Sequence, residues 1–292
     1  MSIIKYLAEN QNFFFFLTIV LGLIAGSFLN VVIYRLPKMM QQSYYEECCD
    51  FLGEDKAATK EKQIFSLSFP ASHCYKCKNR LLWWHNIPLL SFILLRGKCF
   101  FCKNKISWQY PLVELLTGLT SFYVAYKFGF TAQTFALLFL TWGLVALTFI
   151  DFNTKLLPDG IVLFLLWLGL FLNLFNLFTG ITSAVLGAIL GYMSLWIIAQ
   201  LFKLVRKIDG MGHGDFKLFA VFGAWFGWQM LPFIILLASL LALFVGMFLI
   251  FSKKLKFDKP ISFGPYIALS GWFFIFYGVD IINEVNKFLI FA

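Results

Sequence analysis

Residues 232–251 read PFIILLASLLALFVGMFLIF and contain no charged side chain over twenty positions. A helix of about 20 apolar residues crosses a hydrocarbon layer of about 30 Å, so this stretch alone predicts a membrane span. The rest of the chain has the same character, because 60% of its 292 residues are hydrophobic and its mean hydropathy is +0.80. That is well above what a soluble domain needs to fill its core. The sequence predicts an all-α polytopic membrane protein.

Other apolar runs raise the expected number of transmembrane helices to about eight. The run 216–231 is the weakest, because it is short and contains Lys217, and only Pro232 separates it from the run that follows. The remaining runs fall at 13–34, 110–127, 131–150, 160–178, 181–202 and 264–283.

The first of these runs has some features of a signal peptide. Lys5 precedes it, and the small residues Ala25-Gly26-Ser27 resemble a cleavage site. However, Glu9 lies in the preceding segment and the apolar run continues to Val32. We therefore expect an uncleaved first transmembrane helix within residues 1–34.

The distribution of basic residues predicts the topology. If eight helices alternate across the bilayer, the loops on one side hold 21 of the 24 Lys and Arg residues, and such loops stay in the cytoplasm. The net charge of +9 then reports orientation in a lipid bilayer, and we expect no nucleic-acid partner. The basic loops are 35–109, 151–159, 203–217 and 252–263.

Loop 35–109 is the only segment polar enough to fold in water, which predicts a small cytoplasmic domain followed by a multi-helix membrane domain at 110–292. It is short for an independent hydrophobic core. Two C-x2-C pairs in this loop have a spacing close to that of structural Zn²⁺ sites, with an iron–sulfur or redox site as the less favoured alternative. Four thiolate ligands leave no open position, so zinc would stabilise the fold. The pairs are Cys74 with Cys77 and Cys99 with Cys102.

Four carboxylates lie in the short cytoplasmic loops, and each alone could be a helix cap or a solvated charge. They are Asp151, Asp159, Asp209 and Asp215. Two carboxyl groups brought close together share a proton, and such a pair can act as general base towards water and general acid towards a leaving amine. This chemistry is peptide hydrolysis. The residues alone leave open which two carboxylates form the pair.

Glycines precede the last of these carboxylates in GMGHGDFKLF, residues 210–219. Glycine permits positive φ and the close approach of another backbone. We therefore expect Gly212 and Gly214 to leave room for an extended substrate beside Asp215.

Several motifs lie along nearly the whole chain, namely GSFLNVVIYRLP at 26–37, the two C-x2-C pairs, YPLVELLTG at 110–118, DFNTKLLPD at 151–159, GMGHGDFK at 210–217 and FGPY at 263–266. Together they resemble the prepilin peptidases, the type IV prepilin leader peptidase/N-methyltransferases, which are GxGD-type membrane aspartyl proteases. The resemblance implies that Asp151 and Asp215 are the catalytic pair. It also implies cleavage of prepilins and pseudopilins after a glycine, at the cytoplasmic side of the bacterial inner membrane, followed by N-methylation with S-adenosylmethionine. The residues show no recognisable site for this methyl donor, and the loop 35–109, together with GSFLNVVIYRLP, is only a candidate region for the methyltransferase.

Two further features and two alternatives remain. Glu114 is a carboxylate inside a predicted membrane helix, which is either functional or a packing residue. The acidic stretch EECCDFLGED at 46–55 either attracts a basic leader or is a solvated loop. A cation transporter would carry its carboxylates near mid-helix, and a presenilin-type protease would cut within the bilayer. The position of the aspartates at the membrane boundary disfavours both.

Overall fold

The computed structural model describes residues 3–53, 66–208, 210–252 and 261–291. These residues form ten α-helices and no β-strand, so the all-α prediction is confirmed. The helices are α1 (Ile3–Glu9), α2 (Gln11–Leu52), α3 (Leu90–Leu94), α4 (Gln109–Phe128), α5 (Ala132–Thr154), α6 (Asp159–Asn173), α7 (Ile181–Arg206), α8 (His213–Phe226), α9 (Leu231–Phe251) and α10 (Gly264–Phe291). Each of the eight predicted apolar runs lies mainly within a different helix, the first in α2 and the others in α4 to α10.

Five helices in the described part of the chain are long and apolar enough to cross a membrane. They are α2, α5, α7, α9 with the 3-10 turn Trp228–Met230 before it, and α10. The helices α6 and α8 have only 15 and 14 residues. The chain is therefore a multi-pass membrane protein by length and composition, while the count of eight crossings stays a prediction.

Helix α2 extends well beyond the predicted span 13–34 and includes residues 35–52 of the predicted loop. Side chains one turn apart support this extension, because Gln42 Nε2 donates to Glu46 Oε1 at 3.1 Å and Ser43 Oγ to Glu47 Oε1 at 3.3 Å. The helix ends at Gly53 in the left-handed conformation, with φ 66°. The first half of the acidic stretch is thus helical, and its last residues, Glu54 and Asp55, lie outside the described residues.

The chain divides into two compact units, residues 1–146 and 147–292. In the first unit, α2 packs along α4 through small residues. A Cβ atom at Gly26 would lie 2.7 Å from the Cα of Glu114, and one at Gly118 would lie 2.9 Å from Leu23 Cδ2. Glycine at such positions allows helix backbones to approach closely.

In the second unit, α8 is the central helix and is buried along most of its length. Gly187 of α7 and Gly223 of α8 face each other with no room for a side chain on either. At the C-terminal end of α8, Asn173 Nδ2 donates to the carbonyls of Ala224 and Trp225 at 2.8 and 2.9 Å. Asn173 Oδ1 also accepts the N–H groups of Phe178 and Thr179, each at 3.1 Å. These contacts fix the position of α8 at its C-terminal end, so its N-terminal end can carry functional residues.

Candidate active site

Two aspartates from helix ends meet in the second unit. Asp151 lies in the last turn of α5 and is 5% exposed, and Asp215 lies in the first turn of α8 and is 8% exposed. The charge of Asp151 acts on the Asp215 carboxyl. Two buried carboxyl groups in electrostatic contact do not readily ionise together, so the pair favours one shared proton.

The surrounding backbone orients both carboxyl groups. The N–H of Gly264 donates to the Asp151 carboxyl, and the N–H of Gly212 donates to that of Asp215. Ser262 Oγ donates to the backbone carbonyl of Asp151 at 3.1 Å, which fixes the end of α5. Asp151 Oδ2 is buried and has no hydrogen-bond partner among the described residues. This oxygen is therefore available for a proton, a water molecule or a substrate.

Three glycines border the pair in different ways. A Cβ at Gly264 would lie 2.6 Å from Asp151 Oδ2, so any side chain there would displace the carboxylate. A Cβ at Gly214 would lie 2.7 Å from Leu157 Cβ, whereas one at Gly212 would lie 3.7 Å from Asp215 Oδ2, an ordinary contact. Gly212 has φ −75° and ψ 145°, so the positive φ that we considered from the sequence is not used there.

The other two candidate carboxylates stand apart from this pair. Asp159 begins α6 and forms an ion pair with Lys217, with Nζ–O distances of 2.7 and 2.8 Å. Its side chain is 55% exposed. Asp209 lies outside the described residues. The structure thus brings Asp151 and Asp215 together and gives Asp159 a different partner.

The contribution of Gly264 and Ser262 could not be assigned from the sequence. FGPY at 263–266 carries the resemblance but has no side chain that suggests chemistry. Only the packing of α10 beside the end of α5 reveals that the Gly264 backbone contacts the carboxylate.

The four cysteines of the C-x2-C pairs converge in the first unit, where their sulfur atoms all lie within 4.8 Å of one another. Tetrahedral Zn²⁺ with Zn–S distances of about 2.3 Å places its sulfur ligands about 3.8 Å apart. The Sγ atoms of Cys74 and Cys102 are 3.8 Å apart. The residues therefore fit a tetrahedral metal ion.

The two C-x2-C pairs form the same local structure, repeated 25 residues later. Lys78 N–H donates to the Cys74 carbonyl at 2.8 Å, and Lys103 N–H donates to the Cys99 carbonyl at 3.0 Å. Both lysines have positive φ, 56° and 55°. Antiparallel bridges close the two turns, His73 with Arg80 and Lys98 with Lys105. The backbone thus presents both pairs of thiols to one point. Cys48 and Cys49 belong to α2 and lie outside this cluster.

The electrostatics of the cluster favour a cation. Partial burial raises the pKa of the Cys74 thiol, but hydrogen bonds from the N–H groups of Cys77 and Lys76 outweigh it and lower the pKa to about 7. For Cys77, the N–H of Asn79 lowers the pKa, whereas burial and the sulfurs of the other three cysteines raise it to about 11. Cys74 and Cys77 therefore do not readily ionise together unless a positive charge compensates.

Helices that fit a bilayer, combined with a buried carboxylate pair at two helix ends, define the class of membrane aspartyl peptidases. Residues 20–128 match the bacterial peptidase A24 N-terminal domain, and residues 138–247 match the type IV leader peptidase family. The chain belongs to the prepilin leader peptidase/N-methyltransferase family.

Curated relatives cover nearly the whole chain. The chain is 48% identical over 291 residues to the prepilin leader peptidase/N-methyltransferase of Pseudomonas aeruginosa, with 99% of each chain covered. It is 48% identical over 288 residues to that of Stutzerimonas stutzeri, again with 99% of each covered. For the protein of Legionella pneumophila the identity is 42% over 275 residues, covering 93% of this chain and 95% of the relative. No solved structure matches. The relatives support the peptidase prediction and not the cation-transporter alternative.

Proposed function

We propose that this chain is a bifunctional enzyme of the bacterial inner membrane. It cleaves the basic leader from type IV prepilins and pseudopilins after a glycine at the cytoplasmic face, and it N-methylates the new N-terminal residue with S-adenosylmethionine. The names of the relatives support both activities. The observation that carries the peptidase half is the burial of both Asp151 and Asp215, with the charge of Asp151 acting on the Asp215 carboxyl.

In the proposed hydrolysis, Asp151 is the general base and Asp215 carries the shared proton. The Gly264 N–H donates to the Asp151 carboxyl, and such a hydrogen bond stabilises the negative charge that a general base carries. Asp151 takes a proton from water as the water oxygen attacks the scissile carbonyl carbon, and Asp215 protonates the carbonyl oxygen. When the tetrahedral intermediate collapses, Asp151 passes its proton to the leaving amine, a hydroxyl of the intermediate returns a proton to Asp215, and the peptide bond breaks.

Gly212 and Gly214 support the proposal as the edge along which the substrate lies. Gly212 is the N-cap of α8 and Gly214 lies in its first turn, so both are directly adjacent to Asp215. Without a side chain at Gly212, an extended peptide backbone can come within reach of the pair, whereas the space that a Cβ at Gly214 would enter is taken by Leu157.

The topology follows the basic loops. We propose eight crossings, with the loops 35–109, 151–159, 203–217 and 252–263 in the cytoplasm and the aspartates at the cytoplasmic face. Residues 35–109 would form a cytoplasmic zinc-binding domain between the first transmembrane helix and the peptidase domain at 110–292. The thiolates of Cys74, Cys77, Cys99 and Cys102 would hold Zn²⁺, which stabilises the fold of this domain and leaves no position open for chemistry.

The methylation step needs a donor of an electrophilic methyl group, which S-adenosylmethionine supplies as a substrate. The amine nitrogen of the cleaved pilin forms the new N–C bond as the S–C bond breaks. The sulfur keeps the electron pair of that bond, and the nitrogen loses a proton.

The test incubates the purified protein in detergent with a prepilin and S-adenosylmethionine, and measures cleavage and methylation separately. Asp151→Asn and Asp215→Asn should each abolish cleavage, while Asp159→Asn, the matched control, should retain it. Full cleavage by either of the first two variants would overturn the assignment of the pair. Methylation of a pre-cleaved substrate should survive in both.

A further inference from the structure

A cavity of about 330 Å³ lies in the first unit, among α2, the start of α4 and the two C-x2-C turns. Glu114 and Asn30 come from the helices, while Cys74 and Cys99 belong to the cysteine cluster. Its volume is within the range of small-ligand sites, and the peptidase mechanism uses none of its residues. Aromatic side chains line much of the rest, namely Tyr34, Tyr75, Phe100 and Tyr110.

Glu114 is the acidic side chain among the residues that line this cavity, whose basic side chains are Arg35 and Lys105. The N–H of Leu89 donates to Glu114 Oε2 at 2.9 Å and holds the side chain in place. Among the described residues, no Lys or Arg lies within ion-pair distance of it. The nearby Arg35 donates instead to carbonyl oxygens, those of Ser66, Leu67 and Pro70 at 3.0, 3.2 and 2.7 Å. A cationic ligand would supply the positive partner charge that the Glu114 carboxylate lacks.

The second polar group is His85, whose ring is buried against Trp84 and Phe100. Its Nδ1 accepts the N–H of Leu82 at 3.1 Å, so in the neutral ring the proton resides on Nε2. Burial lowers the pKa of His85, which favours this neutral form. Nε2 is buried and has no hydrogen-bond partner among the described residues. Buried donors are normally paired, so the cavity offers a donor that awaits an acceptor.

We infer that this cavity binds S-adenosylmethionine, with the sulfonium end near the Glu114 carboxylate and an acceptor atom of the ligand at His85 Nε2. The inference rests on the proposed methyltransferase activity and gives it a site. A sulfonium cation is stabilised both by a carboxylate and by the faces of aromatic rings, and the same rings can stack on the adenine. Cys74 and Cys99 line one side of the cavity, which connects the cysteine cluster to the shape of the cavity.

The charge of the ligand gives a test, because the product S-adenosylhomocysteine lacks only the transferred methyl group and has a neutral sulfur. The affinity of the full-length protein in detergent for both compounds is measured by calorimetry. Glu114→Gln keeps an acceptor for the Leu89 N–H but removes the charge. It should weaken binding of S-adenosylmethionine about tenfold or more and leave the affinity for S-adenosylhomocysteine within about threefold. Glu9→Gln, on an exposed helix outside the cavity, is the matched control.

His85→Asn is the second variant, because the Asn side chain can still accept the Leu82 N–H but lacks the Nε2 donor. This variant should weaken the binding of both compounds about equally, by about tenfold. Prepilin cleavage should persist in both variants and reports that they are folded.

The outcomes distinguish a failure of the proposed methyltransferase activity from a failure of the proposed binding site. If the wild-type protein neither binds S-adenosylmethionine nor methylates a cleaved pilin, the methyltransferase half of the proposed function fails. If the wild type binds but Glu114→Gln leaves the ratio of the two affinities unchanged, the site is wrong and the function stands. A variant that methylates poorly with unchanged donor affinity would likewise overturn the site.

Discussion

Lys217 Nζ lies 2.7 Å from Oδ1 and 2.8 Å from Oδ2 of Asp159. Lys217 is two residues beyond Asp215 on α8, and residues two apart on a helix point about 200° away from each other. The same turn of α8 therefore directs one side chain towards Asp151 and the other towards Asp159. This geometry separates two carboxylates that the sequence alone could not distinguish.

We expect Asp159→Asn to have little effect on catalysis. The Asp159 side chain is 55% exposed, and an ion pair of this kind contributes about 0–1 kcal/mol to stability. Cleavage of a prepilin should stay within about threefold of wild type, and Lys217→Met should behave alike. Loss of cleavage in Asp159→Asn with an unchanged melting temperature would instead place Asp159 in the reaction.

Gly264→Ala should impair the chemical step. The added Cβ would meet Asp151 Oδ2 at 2.6 Å, and a catalytic group displaced by about 1 Å can lose about a hundredfold in rate. We expect kcat for leader cleavage to fall by about that factor while KM changes little. A fully active Gly264→Ala enzyme would contradict the contact between α10 and Asp151.

Gly212→Ala tests the substrate edge in a different way. The φ of −75° and the 3.7 Å contact show that the protein accommodates a methyl group here, so the melting temperature should not change. If a substrate backbone passes this position, KM for the prepilin should rise several-fold with a smaller change in kcat. Unchanged steady-state constants, even for Gly212→Val, would remove Gly212 from the proposed edge.

The cysteine cluster should bind one zinc ion per chain. Elemental analysis of the purified protein should give a zinc-to-protein ratio of about one, and Cys99→Ser should lose the metal and lower the melting temperature, since structural zinc contributes directly to folding. Cys48→Ser is the control because Cys48 is outside the cluster. Iron in place of zinc, or full zinc in Cys99→Ser, would contradict this prediction.

Gly223→Ala should destabilise the second unit. Its Cβ would collide with the backbone of Gly187, and forcing extra atoms into a packed interface costs about 1–3 kcal/mol. A clear fall in melting temperature is expected. Gly160→Ala is the control, because a Cβ there meets nothing within 4 Å. Equal stability of the two variants would argue against the close contact of α7 and α8.

The sequence predicts best those features of the fold that depend on short segments of the chain. Apolar runs located the helices because the period and length of such runs are properties of short segments, and the two C-x2-C pairs located the metal cluster for the same reason. The end of α2 was misplaced because the polar residues 35–52 resemble a loop in hydropathy, although their spacing allows helix-stabilising pairs.

Tertiary contacts between distant segments could not be predicted. The choice between Asp151 and Asp159 depends on which side chain Lys217 reaches, and the role of Gly264 depends on a backbone N–H more than a hundred residues from its acceptor. The same holds for Glu114, whose hydrogen bond from the Leu89 N–H joins α4 to the cysteine-rich segment.

Asn173 explains how so short a helix as α8 can lie in a bilayer. Its 14 residues rise about 21 Å, less than the hydrocarbon thickness of about 30 Å. On the proposed topology, a helix that begins at the cytoplasmic face ends at the depth of the hydrocarbon layer, where water cannot reach its last carbonyl groups. The amide of Asn173 donates to two of them, at Ala224 and Trp225, and so takes the place of solvent. Asp215, at the other end of α8, can then lie at the membrane surface as proposed, because the far end of its helix needs no water.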